Sequence, residues 1–139
     1  MEKKLIELAL NARLKSYSPY SLYAVGAALL TGSDKIYTGC NIENSSYGAA
    51  NCAERTAIFK AVSEGETTIK MIAVVGGPRD DDPNNLSGYA FPCGICRQVM
   101  REFANPSELK VIVAKSTEDY KVFTLEDLLP ESFGPEYLI

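Results

Sequence analysis

The stretch Leu109-Lys-Val-Ile-Val-Ala-Lys-Ser-Thr-Glu-Asp-Tyr-Lys-Val-Phe-Thr124 holds two candidate strands with little between them. Leu109 to Ala114 is almost wholly apolar, as a buried strand is, and Lys121 to Thr124 follows after only Lys115 to Tyr120. A parallel crossover needs roughly a dozen residues or more, so neighbouring strands this close must run antiparallel. The spacing predicts a sheet whose last two strands are antiparallel.

Working upstream, Met71 to Val75 is a second short apolar run, read as a central strand buried on both faces. Between these runs lies a long loop, Gly76 to Phe91, and then a helix opened by Pro92, reaching about Phe103 and closed by Asn105-Pro106. Asp80-Asp-Asp82 in the loop lacks calcium-ligand spacing and reads as solvated. Tyr23 to Leu30 and Lys35 to Cys40, joined by the turn-formers Thr31-Gly-Ser-Asp34, read as an antiparallel hairpin. Leu5, Leu8, Ala9 and Ala12 recur at helical spacing, so the first fifteen residues form an amphipathic helix facing the sheet. Asn41 to Ala50 is a polar loop, Cys52 to Val62 is helical, and Gly65 is a stop. Leu125 to Leu129 is a short helix, and Pro130 to Ile139 is a tail whose Phe133, Tyr137, Leu138 and Ile139 call for a cover. The expected fold is α/β: a three-layer α/β/α domain over residues 1–139 with a mixed five-stranded sheet and no internal repeat.

Composition narrows the function. A chain of 139 residues can bury roughly two thirds of its unfolded surface, and 46% hydrophobic residues suit a globular core. The net charge is -4, with Lys and Arg scattered, so no basic stripe exists to hold a nucleic acid. The first ten residues mix charges into their apolar set, and no apolar run of spanning length follows, which argues against a leader or membrane segment and for the cytoplasm. In a reducing compartment the Cys-x-x-Cys pair among the four cysteines reads as metal ligation or redox chemistry.

The chemistry concentrates in Cys52-Ala53-Glu54-Arg55 and Pro92-Cys93-Gly94-Ile95-Cys96-Arg97. Cys93 and Cys96 put two sulfurs on one side of a first helical turn, and Cys52 can supply a third. Zinc takes four tetrahedral ligands, and catalytic sites give it three from the protein, leaving one position for water. The chain has no histidine, so an acid or base beside such a metal is a carboxylate, or less readily Tyr or Lys. Glu54, two residues after a ligand at a helix start, is the candidate. Cys52-x-Glu54 with Pro92-Cys93-x-x-Cys96 fits the three-cysteine form of the zinc deaminase signature. Arg55 and Arg97 sit beside ligands and can offset the negative charge of three thiolates, as can the N-termini of the two helices. Cys93 and Cys96 could also be a redox pair or buried thiols, and Glu54 an ordinary first-turn glutamate. Cys40, on a strand, reads as a small buried hydrophobe; as a fourth ligand it would close the site. Asn41 and Glu43 suit sugar hydroxyls or a hydrogen-bonded loop, and Tyr23 a planar ligand or the core.

These residues resemble the homotetrameric cytidine deaminases of pyrimidine salvage. The likeness runs through Tyr17-Ser-Pro-Tyr-Ser21, Val25-Gly-Ala-Ala28, Gly39-Cys-Asn-Ile-Glu-Asn44, Ser46-Tyr-Gly48, Cys52-Ala-Glu-Arg-Thr-Ala57, Pro92-Cys-Gly-Ile-Cys-Arg-Gln98 and Leu128-Leu-Pro130 with Phe133. Seven strings in order at family spacing are specific where any one is not. The resemblance implies hydrolytic deamination of cytidine and 2'-deoxycytidine, with Zn2+ on Cys52, Cys93 and Cys96 and Glu54 as proton shuttle. It implies Asn41 and Glu43 on the ribose, Tyr23 against the pyrimidine, Ala53 at the substrate, Arg55 on the ligand sulfurs, and Phe133 reaching a neighbouring subunit's site.

The sequence departs from the family pattern at Tyr23, where Phe is common, and at Phe91, where a small residue precedes the proline; its Gly76–Phe91 loop is also longer. A blasticidin S-type nucleoside drug deaminase shares the zinc motifs, but the Asn41-x-Glu43 pair favours a plain nucleoside. A polynucleotide deaminase would be expected, by the same analogy, to have a helix where this chain has Lys115 to Tyr120. A closed four-sulfur site using Cys40 would support a non-catalytic zinc-binding module instead.

Overall fold

Chain order alternates the elements that build one sheet and cover both its faces. The computed structural model describes every residue, Met1–Ile139. Helix α1 (Glu2–Arg13) precedes the hairpin of β1 (Tyr23–Thr31) and β2 (Ile36–Cys40); α2 (Ala53–Ser63) leads to β3 (Ile69–Pro78). Helix α3 (Gly94–Glu102) then carries the chain to β4 (Lys110–Ser116), β5 (Asp119–Thr124) and the short α4 (Leu125–Leu128). The strand order is β2-β1-β3-β4-β5. Only β3 and β4 are parallel, joined by the crossover through α3, and β4 and β5 are antiparallel as their spacing requires. Ser116 and Asp119 already face each other, and the Ser116 hydroxyl accepts the Glu118 and Asp119 amides at 3.2 and 3.1 Å to close this turn.

Side chains alternate across a strand, and here the alternation separates two cores. Ala28, Ala73, Val75, Ile112 and Ala114 face α1 through Leu5, Ile6 and Ala9. Ala27, Leu29, Ile72 and Val111 face the other way, onto Ala53, Ala57 and Ile58 of α2 and Cys96 and Met100 of α3. The result is the three-layer arrangement.

Two glycines set how closely the helices lie. A Cβ on Gly26 would meet Ala9 O and sit 2.6 Å from Arg13 N; one on Gly39 would sit 2.6 Å from Ala57 N and 2.7 Å from Ala53 O. These are backbone atoms that no rotamer change can move aside. Gly39→Ala must therefore push the first turn of α2 off the sheet. It is expected to cost about 1–3 kcal/mol, as overpacking does. A urea unfolding midpoint equal to the parent's would contradict this close approach.

The structure extends β3 beyond Met71 to Val75. Its ends pair with β1, Ile69 with Thr31 across a bulge and Gly76–Pro78 with Tyr23–Val25, and neither end carries a continuous apolar signal. The polar loop contains a 3-10 turn, Tyr47–Ala49, that no periodicity announces. Arg13 is buried, against expectation for a helix-end cation. Its Nε donates to Ala24 O at 2.9 Å and its Nη2 to Pro78 O at 2.6 Å, tying α1 to the adjoining ends of β1 and β3. Burial lowers its pKa. In the tail, Phe133 stacks on Tyr137 at 5.5 Å, but Leu138 and Ile139 are 76% and 101% exposed, so the chain does not supply their cover. No helix is long and apolar enough to cross a membrane.

Candidate active site

Two helix starts meet in one cleft. Cys52 is the N-cap of α2 and Cys93 the N-cap of α3, both with extended backbone, so each sulfur lies at the positive end of a helix. Cys96, one turn into α3, returns to the same side, and its amide donates to the Cys93 sulfur at 3.4 Å. The three Sγ atoms lie within 4.8 Å of one another, Cys52 and Cys93 at 3.8 Å. Four tetrahedral sulfurs about 2.3 Å from zinc would lie about 3.8 Å apart, so this donor set fits that ion.

Arg55, one turn after Cys52, donates from Nη2 to its sulfur at 3.2 Å. Its buried Nε has no hydrogen-bond partner. The Cys52 thiol is pushed down to about 5, first by its hydrogen bond with Cys96 and then by Arg55. Cys96 moves the opposite way, because it shares its proton with Cys52 and is buried. Burial works against the Arg55 charge, but the two sulfurs more than offset it. Arg97 is placed differently: its Nε and Nη1 donate to the carbonyls of Pro92 and Leu128, at 2.8 and 2.7 Å. Contact between a guanidinium and the sulfurs thus falls to Arg55, while Arg97 braces the loop against the chain's C-terminal segment.

Glu54 sits in the first turn of α2, 3% exposed and facing the same cleft. Its carboxyl is pushed up to about 7, first by burial, with the neighbouring Cys52 charge adding to it. A carboxyl poised near neutrality can accept and return a proton.

The cleft has a volume of about 590 Å³ and brings Cys52, Cys93, Ala53, Glu54 and Arg55 together with Tyr23, Asn41 and Glu43. Cys96 is fully buried behind them. Asn41 Oδ1 accepts the Val25 amide at 2.9 Å and the Ser16 hydroxyl, and its Nδ2 donates to Tyr23 O at 2.9 Å, which leaves one amide proton uncommitted. Glu43 accepts the Tyr20 and Ser21 amides at 2.9 and 3.2 Å and the Ser21 hydroxyl. Phe133 is not among the residues lining this cleft. Cys40 is half-buried, not enclosed as its strand position suggested, and its thiol donates to Lys15 O at 3.4 Å, apart from the other three.

Sequence reasoning missed Tyr89, which lines the cleft with Lys115 and Lys121 4.7 and 4.6 Å from its ring centre. Nothing local marks it, since its partners come from β4 and β5. Phe91 and Ile95 also line the cleft, Phe91 backed by Phe123 at 5.8 Å.

A mixed α/β sheet with three cysteines and a carboxyl grouped at two helix starts defines the class of zinc-type base deaminases. Its relatives narrow this. The family described as "Cytidine and deoxycytidylate deaminase zinc-binding region" matches residues 1–113. A cytidine deaminase of Sporosarcina psychrophila is 46% identical over 136 residues, covering 98% of this chain and 93% of the relative. One from Halalkalibacterium halodurans is also 46% identical, over 95% of this chain and 93% of its own length. The crystal structure of cytidine deaminase from Burkholderia pseudomallei superposes with a TM-score of 0.84 at 45% identity, covering 96% of this chain and 99% of that one. The chain belongs to the cytidine deaminase family.

Proposed function

We propose that this chain, acting over residues 1–139 as one domain, hydrolyses cytidine and 2'-deoxycytidine to uridine and 2'-deoxyuridine with release of ammonia. The observation that carries the reading is Glu54: a buried carboxyl raised to about 7, beside three clustered thiols, in a cleft that also holds Asn41 and Glu43. Cys52, Cys93 and Cys96 would hold the zinc ion. When bound, zinc supplies the Lewis acidity that makes water a nucleophile at neutral pH.

The chain's own residues do the rest. Asn41 and Glu43 hold the sugar, Tyr23 lies against the pyrimidine, and Ala53 lines the substrate's place beside Glu54. As water adds to C4, Glu54 takes its proton and delivers it to ring N3. Glu54 then moves a proton to the departing amine, so that one water is consumed and one ammonia released. Arg55 offsets the negative charge of the sulfurs.

The partner is a small nucleoside and the working place the cytoplasm. The exposed tail supports assembly of four chains, with Phe133 entering a neighbouring cleft. Light scattering of the zinc-loaded protein is expected to give the mass of four 15.2 kDa chains; a stable monomer would sink the assembly. For the reaction, the ultraviolet spectrum of cytidine incubated with the zinc-loaded protein is expected to change to that of uridine. An unchanged spectrum, with the fold intact, would overturn the reading.

A further inference from the structure

The segment between α1 and β1 does more than connect them. Leu22 has φ 58, a left-handed conformation that a branched side chain rarely adopts. The backbone on both sides is fixed: Leu22 N donates to Ser18 O at 3.0 Å and Arg79 N to Leu22 O at 2.8 Å. This turn places Ser21 behind Glu43, outside the cleft that Glu43 lines. The Ser21 amide donates to Glu43 at 3.2 Å, and its hydroxyl donates to the other carboxylate oxygen. That same hydroxyl accepts the Tyr23 amide at 3.1 Å. The Tyr23 carbonyl, in turn, accepts Asn41 Nδ2 at 2.9 Å.

The backbone of Tyr23 is therefore tied on one side to Glu43, through one hydroxyl, and on the other directly to Asn41. We infer that Ser21 is a positioning residue for substrate sugar, aiming the Glu43 carboxylate and fixing its register against Tyr23. An ionised carboxylate is an acceptor only, which suits it to read hydroxyl donors. The Ser21 hydroxyl is also the first cause of the lowered Glu43 pKa, followed among the lowering contacts by the Tyr20 and Ser21 amides. Without the Ser21 hydroxyl one carboxylate oxygen keeps the Tyr20 and Ser21 amides while the other loses its donor, so the carboxylate plane can turn and a ribose hydroxyl meets it in the productive orientation less often. The inference rests on the proposed sugar contact of Glu43.

The experiment compares cytidine with 2',3'-dideoxycytidine, which lacks both ring hydroxyls, in the zinc-loaded parent, Ser21→Ala, Ser21→Thr and Glu43→Ala proteins. Ser21→Ala is expected to lower kcat/KM for cytidine by roughly tenfold, mainly through KM, as loss of one hydrogen bond to a charged group does. Its effect on 2',3'-dideoxycytidine should be clearly smaller, limited to what the lost Tyr23 amide contact contributes, and Ser21→Thr, which keeps the hydroxyl, should restore the cytidine value. A loose or distorted loop would instead weaken both substrates alike, and that result, or an unchanged cytidine KM, overturns the inference. Glu43→Ala separates the two levels. If it discriminates between the substrates and Ser21→Ala does not, the sugar contact stands and the role of Ser21 falls; if it does not discriminate, the sugar contact itself is wrong and the inference falls with it.

Discussion

Glu54→Gln is expected to reduce kcat for cytidine by roughly 10^4-fold, the upper end of what a positioned acid or base contributes. The magnitude follows from the number of transfers assigned to one carboxyl: from water, to N3, and to the leaving amine. The chain has no histidine to take over any of them. Glutamine keeps the size of a side chain that is only 3% exposed, so packing is preserved and the three cysteines proposed to hold zinc are untouched. Zinc content should equal the parent's.

Stability should not fall with activity. The folded site raises the Glu54 pKa from the ordinary carboxylate range to about 7, so it is the neutral form that folding favours. That contribution is complete below the unfolded pKa and is lost as pH rises through about 7. A permanently neutral glutamine is therefore expected to unfold at or above the parent's temperature at pH 8. A residual kcat within tenfold of the parent would remove Glu54 from the chemistry. A melting temperature several degrees lower, with zinc lost, would make Glu54 a structural residue.

The extent to which the sequence disclosed this site follows from how local each feature is. Cys52 and Cys93 as helix starts, and Cys96 one turn on, follow from spacing alone, because helical geometry leaves a sulfur three residues later nowhere else to point. Only six residues between two strands forced the antiparallel β4–β5 pair. Arg55 and Arg97 look equivalent in sequence, each next to a ligand segment. What separates them is Leu128, 31 residues beyond Arg97, whose carbonyl claims that guanidinium. The full length of β3 was hidden for a similar reason: Gly76–Pro78 are strand because β1 lies beside them, while their side chains carry no strand pattern. Ser21 was legible only as a turn-former, since its partner Glu43 comes from beyond β2.

Cys96→Ser should abolish stoichiometric zinc binding, and with it activity, whereas Cys40→Ser should change neither. Cys96 is fully buried and clusters with Cys52 and Cys93. A serine hydroxyl there is a poor zinc ligand, and two thiolates do not complete a three-residue site. Groups that merely support a ligand typically cost roughly 10–100-fold in metal affinity or activity when removed, and a direct ligand must exceed that. Because an ion bound only by the folded chain adds its binding free energy to folding, Cys96→Ser and chelator-treated parent should melt below the zinc-loaded parent, and to a similar extent. Cys40 gives the contrast, its thiol being directed to Lys15 O. Metal analysis of the purified variants, read with their melting temperatures, decides between an open and a closed site. Full zinc occupancy in Cys96→Ser would dismantle the three-thiol centre. Zinc loss in Cys40→Ser would mean a fourth sulfur ligand, leaving no position for water and no route to hydrolysis in this cleft.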